Sequence, residues 1–165
     1  MKKVRVFFAG FVCMTTMLVT AGSGNGGGSH QGFEITPIGV HENGPPYETS
    51  AAEIVTYDRF TKRLYVVNAQ GVRLDVLSIR NPRNPTKVAT LDISPYGAVV
   101  NSVAFHDGII AVAVENAVKT SPGQVVLFNS SLNFLRAFPA GALPDMVTFS
   151  PDGRWLLVAN EGEPN

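Results

Sequence analysis

The amino-acid sequence predicts an all-β fold built from repeated antiparallel sheets, and three observations support this prediction. Three segments resemble one another, and each starts with a polar residue that opens a short apolar strand: Glu53, Asn101 and Asp145. The spacings between these residues are 48 and 44 positions. After residue 21 the apolar residues come in short runs separated by turn residues, without sustained helical spacing. A strand-and-turn repeat of this length is typical of the blades of a β-propeller.

The first repeat, residues 51–93, divides into four predicted strands. Pro82 and Pro85 mark a loop before the fourth strand, because proline lacks a backbone N–H and restricts the residue before it. The predicted strands are residues 53–58, 64–69, 73–79 and 86–93.

The second repeat, residues 101–140, follows the same plan with different turns. Asp107 and Gly108 predict a two-residue type I′ hairpin, since both residues tolerate the positive φ that this turn requires. The predicted strands are residues 101–106, 109–115, 124–129 and 134–138.

The third repeat, residues 145–165, contains two strands only. Residues 150–153 (SPDG) predict a type I turn, with proline second and glycine fourth, before a strand at 154–160. The chain therefore corresponds to about two and a half blades of a YVTN- or WD40-like propeller. Residues 33–50 are interpreted as an outer strand, 33–40, and a loop, with the strand closing a ring whose other blades would follow residue 165. The alternative is a self-contained open β-sheet domain.

The predicted strands are apolar on both faces, as expected for sheets that are covered on both sides. Residues 125–128 (VVLF) and 156–158 (LLV) show no clean alternation of apolar and polar positions. Four aromatic residues are therefore expected to pack between blades: Phe105, Phe128, Phe149 and Trp155.

The first 21 residues have the pattern of a secretory signal peptide, for which we expect a helix. Three basic residues precede an apolar run at 6–19, and small residues lead to a cleavage site after Ala21. An uncleaved anchor is the alternative. Residues 22–32 are rich in glycine and serine and predict a flexible linker. These features predict a secreted, cell-surface or periplasmic protein whose mature chain has no transmembrane span.

Composition narrows the chemistry of the exported chain. Cys13 lies within the signal segment, so thiol nucleophiles and thiolate metal sites are excluded from the mature part. Without the signal the chain holds 10 basic and 13 acidic residues, a net charge of −3. Nucleic acid is therefore not an expected partner, whereas calcium or a cationic or neutral ligand is compatible with this charge.

The best candidate site comes from the polar residues that open the repeats. Because the innermost strands of a propeller line its channel, Glu53, Asn101 and Asp145 should converge on one mouth of that channel, where a ring of oxygens suits Ca²⁺. Glu161 and Glu163 flank a glycine after the last strand and are further metal candidates. The alternatives are strand capping for the first three residues and a solvated loop for the two glutamates. No cofactor other than Ca²⁺ is expected.

Other chemistry-bearing residues give weaker signals. The three histidines, His30, His41 and His106, lack metal-ligand spacing. No serine lies in a nucleophile-elbow motif. Asn129 opens an N-glycosylation sequon at a predicted turn, and the sequence does not decide whether it is modified.

Five ordered strings carry a family resemblance: residues 51–58 (AAEIVTYD), 64–69 (LYVVNA), 101–104 (NSVA), 142–146 (ALPDM) and 159–165 (ANEGEPN). Together they resemble the choice-of-anchor I family, which includes proteins described as mesenchyme-specific cell surface glycoproteins and bacterial proteins labelled alkaline phosphatase. The repeats are also similar to YVTN and quinoprotein amine dehydrogenase-like propellers. The resemblance implies a surface-attached or secreted propeller several hundred residues long, with a C-terminal anchor and further blades, and it implies no established catalytic set.

Two functions from different classes follow. The first is a binding or scaffold module that recognises an extracellular ligand or protein, which the sequence does not identify. The second is a Ca²⁺-dependent alkaline phosphatase or phosphoesterase of propeller type that would use Glu53, Asp145, Glu161 and Glu163. The absence of a recognisable catalytic constellation favours the first.

Overall fold

The computed structural model describes residues 2–9, 33–42 and 52–162, and over this part the protein is all-β, as predicted. One short 3₁₀ turn, Ser94–Tyr96, interrupts the strands, and the described residues contain no α-helix. The strands are β1 Lys2–Ala9, β2 Phe33–His41, β3 Ala52–Asp58, β4 Arg63–Asn68, β5 Arg73–Ser78, β6 Thr86–Asp92, β7 Val99–His106, β8 Ile109–Glu115, β9 Pro122–Asn129, β10 Phe134–Ala142, β11 Pro144–Phe149 and β12 Leu156–Asn160.

The strands after β2 form three antiparallel sheets in chain order. The first sheet has the order β3-β4-β5-β6, the second has the order β7-β8-β9-β10, and the third consists of β11 and β12. Each sheet is a meander in which sequential strands are neighbours. The ten strands predicted from the repeats all exist, and most of their ends agree with the prediction to within two residues.

The tight turns have the predicted backbone conformations. Asp107 and Gly108 have φ values of 45° and 84°, as a type I′ hairpin requires. At the turn between β11 and β12, the Gly153 N–H donates to the Ser150 carbonyl at 2.8 Å, and Gly153 has φ +69°. Local sequence is therefore sufficient to place these two turns.

The first and second sheets pack face to face through large side chains. Tyr65 is fully buried and stacks on Phe105 with ring centroids 5.7 Å apart. Burying one such side chain stabilises the fold by roughly 1.5–3 kcal/mol before conformational entropy is counted. The shared cluster of buried residues comprises Tyr65, Val67, Leu74, Val76, Ile93, Val100, Val103, Ile110, Val112, Val114, Val126 and Phe128.

The second and third sheets pack through smaller side chains. Strand β8 alternates, so that Ile110 and Val112 face the first sheet, whereas Ala111 and Ala113 pack in the cluster shared with the third sheet. Val147 of β11 completes this second cluster. Because β8 is covered on both faces, its sequence is apolar at nearly every position, as the repeat predicted.

The N-terminal part differs from the sequence prediction. We expected a helix in the signal segment, but Lys2–Ala9 forms a strand that pairs in parallel with β2. This stretch is rich in valine and phenylalanine, which favour extended backbone, and pairing with β2 outweighs its capacity for helix. Residues 10–21 of the signal and the 22–32 linker lie outside the described residues, so cleavage, export and the linker remain predictions.

Strand β2 lies against the first sheet. A side chain at Gly39 would collide with the Pro82 carbonyl, so the backbone of β2 closely approaches the loop between β5 and β6. Residues 33–40 thus form a strand, as expected, and their role as the closing outer strand of a ring remains a prediction. The loop at 43–50 lies outside the described residues.

Trp155 does not pack between two of the described sheets, so its packing against a further blade remains a prediction. It is 68% exposed, whereas Phe128 is 2% exposed and Phe149 packs between the second and third sheets. Within the described part of the chain, the third sheet has a neighbouring sheet on one side only, so residues directed to its other side meet solvent. No described helix has the length and apolar character needed to cross a membrane.

Candidate functional site

The first strands of the three sheets, β3, β7 and β11, lie side by side and line an open groove of about 400 Å³. Strand β7 is in the middle and contacts both β3 and β11. The groove is lined by a mixture of apolar and polar residues, and among the apolar ones Val55 and Met146 are about half exposed. The arrangement brings residues nearly 100 positions apart in the chain to one surface.

Each first strand contains a β-bulge at the same place, near its start. In β7 the pairs Val100–Val114 and Ser102–Ala113 leave Asn101 as the additional residue. In β11 Asp145 is the additional residue between Pro144 and Met146, which pair with Asn160 and Ala159. In β3 the register shifts between Ala52 and Val55, a stretch that includes Glu53. Asn101 and Asp145 are therefore the additional residues of two equivalent bulges, and Glu53 lies within the corresponding register shift of β3.

The bulge in β7 explains how this strand is linked to the third sheet. Successive side chains of a regular strand point to opposite faces, but a bulge redirects a side chain, so that two neighbouring side chains can reach the same adjacent strand. The Asn101 carboxamide donates from Nδ2 to the Pro144 carbonyl at 3.1 Å, and the Ser102 hydroxyl oxygen accepts from the Val147 N–H at 3.2 Å. Both side chains thus bind β11.

Glu115 completes the polar cluster at this end of the second sheet. Its side chain is 8% exposed, and its Oε2 accepts from Asn101 Nδ2 at 3.4 Å. Sequence reasoning did not select Glu115, although a signal was present: Glu115 and Glu161 occupy equivalent positions of their repeats, 46 residues apart, at the end of β8 and directly after β12. The Asn101 carboxamide is therefore held between Glu115 of its own sheet and the start of β11.

The carboxylates at the corresponding end of the other strands are exposed. Glu53, Asp145 and Glu161 all face solvent. The Glu161 N–H donates to the Leu143 carbonyl at 2.9 Å, which holds the chain after β12 beside the start of β11, where Asp145 lies. We call this end of the three sheets, defined by Glu53, Asn101, Asp145 and Glu161 together with Glu115, the bulge end.

The metal prediction receives no direct support at the bulge end. Among the described residues, no three His, Cys, Asp or Glu side chains are grouped closely enough to hold a metal ion. Glu163 lies outside the described residues. The five predicted residues therefore remain a proposal as a metal set, and the contacts that are present are hydrogen bonds from Asn101.

The opposite end of the first strands carries a different set of residues. His106 ends β7 and lies against Phe149, with ring centroids 5.6 Å apart. Nearby, the Ser150 hydroxyl donates to Asp152 at 2.5 Å, and this hydrogen bond lowers the pKa of the exposed Asp152 carboxyl. Ser150 and Asp152 thus stabilise the turn between β11 and β12, and His106 packs against the aromatic ring that precedes this turn.

Comparison with known proteins identifies the family. The sequence profile of the Choice-of-anchor I domain matches residues 53–165, which include all three sheets and the bulge end. The chain belongs to the choice-of-anchor I family. No curated protein matches the chain.

Among solved structures, the choice-of-anchor I chain is similar to the Kuenenia stuttgartiensis hydrazine synthase, with a TM-score of 0.56 and 17% sequence identity. The match covers 73% of this chain and 32% of the hydrazine synthase chain. At this identity the likeness concerns the fold alone. The choice-of-anchor I chain thus spans about a third of the length of that protein.

Proposed function

We propose that this choice-of-anchor I chain is part of a secreted or cell-surface β-propeller that acts as a binding or scaffold module. The observation that carries the proposal is the repeated bulge, which places Glu53, Asn101 and Asp145 at one end of three adjacent first strands. Bulges are over-represented at sheet edges, at barrel rims and next to active sites, where they redirect a side chain. In a propeller this end is one mouth of the central channel.

The packing of the sheets supports the propeller architecture. Each sheet is a meander, the sheets stack in chain order, and their first strands share one groove. The first two sheets are then complete blades, and β11 with β12 is half of a third. The remaining blades would cover the exposed face of the third sheet. The similarity to choice-of-anchor domains favours the cell surface as the place of action.

The chemistry of the bulge end favours a cationic or hydrogen-bonding ligand. Glu53, Asp145 and Glu161 offer exposed carboxylates, and the groove beside them has a mixed apolar and polar lining. Described residues provide no observation that favours the phosphoesterase alternative. The proposed binding function therefore rests on these exposed carboxylates and requires no reaction.

The test uses the complete protein and a pair of matched variants. The double variant Asp145→Asn with Glu161→Gln removes two exposed carboxylates from the bulge end. The control is the double variant Glu42→Gln with Asp107→Asn, which removes two exposed carboxylates at other places. Fluorescently labelled protein is applied to intact cells of the producing strain and to its isolated envelope. We expect the bulge-end variant to bind about fivefold or more weakly and the control to bind as the unmodified protein does.

Two outcomes would contradict the proposal. One is equal binding by both double variants and the unmodified protein, which would show that the bulge end does not take part. The other is recovery of an epitope-tagged protein only inside cells, protected from protease added outside. Both measurements are independent of any catalytic assay.

A further inference from the structure

The end of the first sheet opposite the bulge end carries a cluster of exposed cations. The turn between β3 and β4 contains Arg59 and Lys62, and the loop between β5 and β6 contains Arg80 and Arg83; all four are exposed. The Ile79 N–H donates to the Lys62 carbonyl at 2.8 Å, which holds the two loops together. We call this surface the basic end.

No carboxylate within these loops offsets the positive charge. Residues 59–62 and 79–85 contain no aspartate or glutamate. The neighbouring Asp58 is 1% exposed, and its oxygens accept from the Phe60 and Thr61 N–H groups and from the Thr61 hydroxyl. The hydrogen bonds of the Asp58 carboxylate are therefore made to residues of its own turn. Among the described residues, the four cations form no ion pair.

Positive charge is concentrated at the basic end only, since the mature sequence as a whole has more acidic than basic residues. Four of its ten cations lie at the basic end, whereas the bulge end is acidic. Arg63, in contrast, is directed to the second sheet, where its Nη1 donates to the Ser130 carbonyl at 3.2 Å. A surface of this kind attracts an anionic partner even when the net charge of the protein is negative.

The uncharged groups of the basic end indicate the class of partner. Phe60 is 63% exposed, and the Arg59 guanidinium lies 4.5 Å from the centre of its ring. Asn81 and Asn84 on the adjacent loop are exposed and carry carboxamides. An aromatic face and carboxamides suit the rings and hydroxyls of a sugar, whereas the described loops offer one large apolar side chain for insertion into a lipid bilayer.

We propose that the basic end binds an anionic polysaccharide, such as a sulfated or carboxylated polymer of the extracellular space. The binding of a second ligand at the end opposite the bulges goes beyond the proposed function and rests on it only for the extracellular location. Arg80 and Arg83 supply the positive charge of one loop, Arg59 and Lys62 that of the other, and Phe60 contacts the sugar ring.

The experiment measures binding of the complete protein to dextran sulfate by biolayer interferometry, with uncharged dextran as the reference. We expect binding that weakens about tenfold or more when NaCl is raised from about 0.05 M to about 0.5 M, because salt screens exposed charges. Arg80→Gln with Arg83→Gln should weaken the binding about fivefold. The matched control, Arg136→Gln with Arg154→Gln, removes two exposed cations elsewhere and should have little effect.

Three results would overturn this proposal. One is an equal loss of affinity in both double variants, which would indicate a response to net charge alone. Another is no binding of dextran sulfate by the unmodified protein. The last is binding to phosphatidylglycerol vesicles without binding to dextran sulfate, which would assign the basic end to membranes. None of these results bears on the bulge-end variants, so the two proposals can fail separately.

Discussion

At the level of single residues, Asp75 in β5 is a buried carboxylate that pairs with cations of the first sheet. Its side chain is 2% exposed, and its oxygens lie 2.5 Å from Lys87 Nζ, 3.3 Å from Arg73 Nε and 3.0 Å from Asn68 Nδ2. Burial alone raises the pKa of Asp75, but the hydrogen bonds from Lys87 and Asn68 and the charges of Lys87 and Arg73 outweigh it, so the pKa is lowered.

Replacement of this carboxylate should destabilise the fold. Asp75→Asn leaves Lys87 and Arg73 without their counter-charge, and because both are about a third exposed, water compensates in part. We expect a loss of about 2 kcal/mol in the free energy of unfolding at pH 7, measured by urea denaturation. Asp107→Asn, at an exposed position, is the control and should be close to neutral.

The same residue predicts how stability depends on pH. The pKa of Asp75 is lower in the folded state than the unfolded value of about 3.9, so its contribution is fully present above that pH and is lost as pH falls through the folded pKa. Between about pH 6 and pH 2, the free energy of unfolding should change less with pH for Asp75→Asn than for the unmodified protein. Identical pH dependence in the two proteins would contradict this assignment.

At the scale of elements, the turns that join first and second strands differ in how much space they leave. Gly108 and Gly153 both have positive φ, at 84° and 69°. A Cβ at Gly108 would meet only the Ser130 hydroxyl, at 3.6 Å, whereas a Cβ at Gly153 would collide with the imidazole of His106. The turn at Gly153 is therefore constrained both by its own backbone conformation and by His106 of the second sheet.

This difference predicts unequal costs for the same substitution. Gly108→Ala should cost about 1 kcal/mol, the strain of placing a side chain in the left-handed region. Gly153→Ala should cost about 2–3 kcal/mol, because crowding against His106 is added. Thermal denaturation measures both, and His106→Ala should recover part of the loss in Gly153→Ala but none in Gly108→Ala. Equal costs at the two glycines would show that the contact with His106 is absent in solution.

At the scale of the whole molecule, the third sheet has one covered and one uncovered side. Trp155 and Leu157 are 68% and 56% exposed, and within the described chain β12 pairs with β11 alone. An apolar face beside an unpaired strand edge favours association with another sheet. In the proposed ring, the next blade would occupy this side.

The exposed side predicts poor solubility of the 165-residue chain by itself. We expect it to self-associate at micromolar concentration, measured by size-exclusion chromatography with light scattering. Trp155→Thr with Leu157→Thr should raise the monomer fraction, whereas Phe134→Thr with Leu135→Thr, also exposed but on β10, should raise it less. A monomeric, cooperatively melting unmodified chain would contradict the expectation.

The strand order, the three repeats and the two tight turns could all be predicted from the amino-acid sequence. These features depend on local properties: short apolar runs, proline in loops and residues that accept positive φ at Asp107, Gly108 and Gly153. The sequence also identified Glu53, Asn101 and Asp145 as equivalent, because each opens a repeat. Family membership followed from the same ordered strings.

The contacts of those polar residues, in contrast, could be assigned only from the folded arrangement of the sheets. A bulge exists only relative to the strand beside it, so Asn101 and Ser102 could not be assigned to β11 before the register with β8 was known. The partnership of Asn101 with Glu115 and the clustering of Arg59 with Arg80 likewise join residues from different strands or loops. Such contacts depend on packing between distant segments, whereas sequence patterns report the conformation of neighbouring residues.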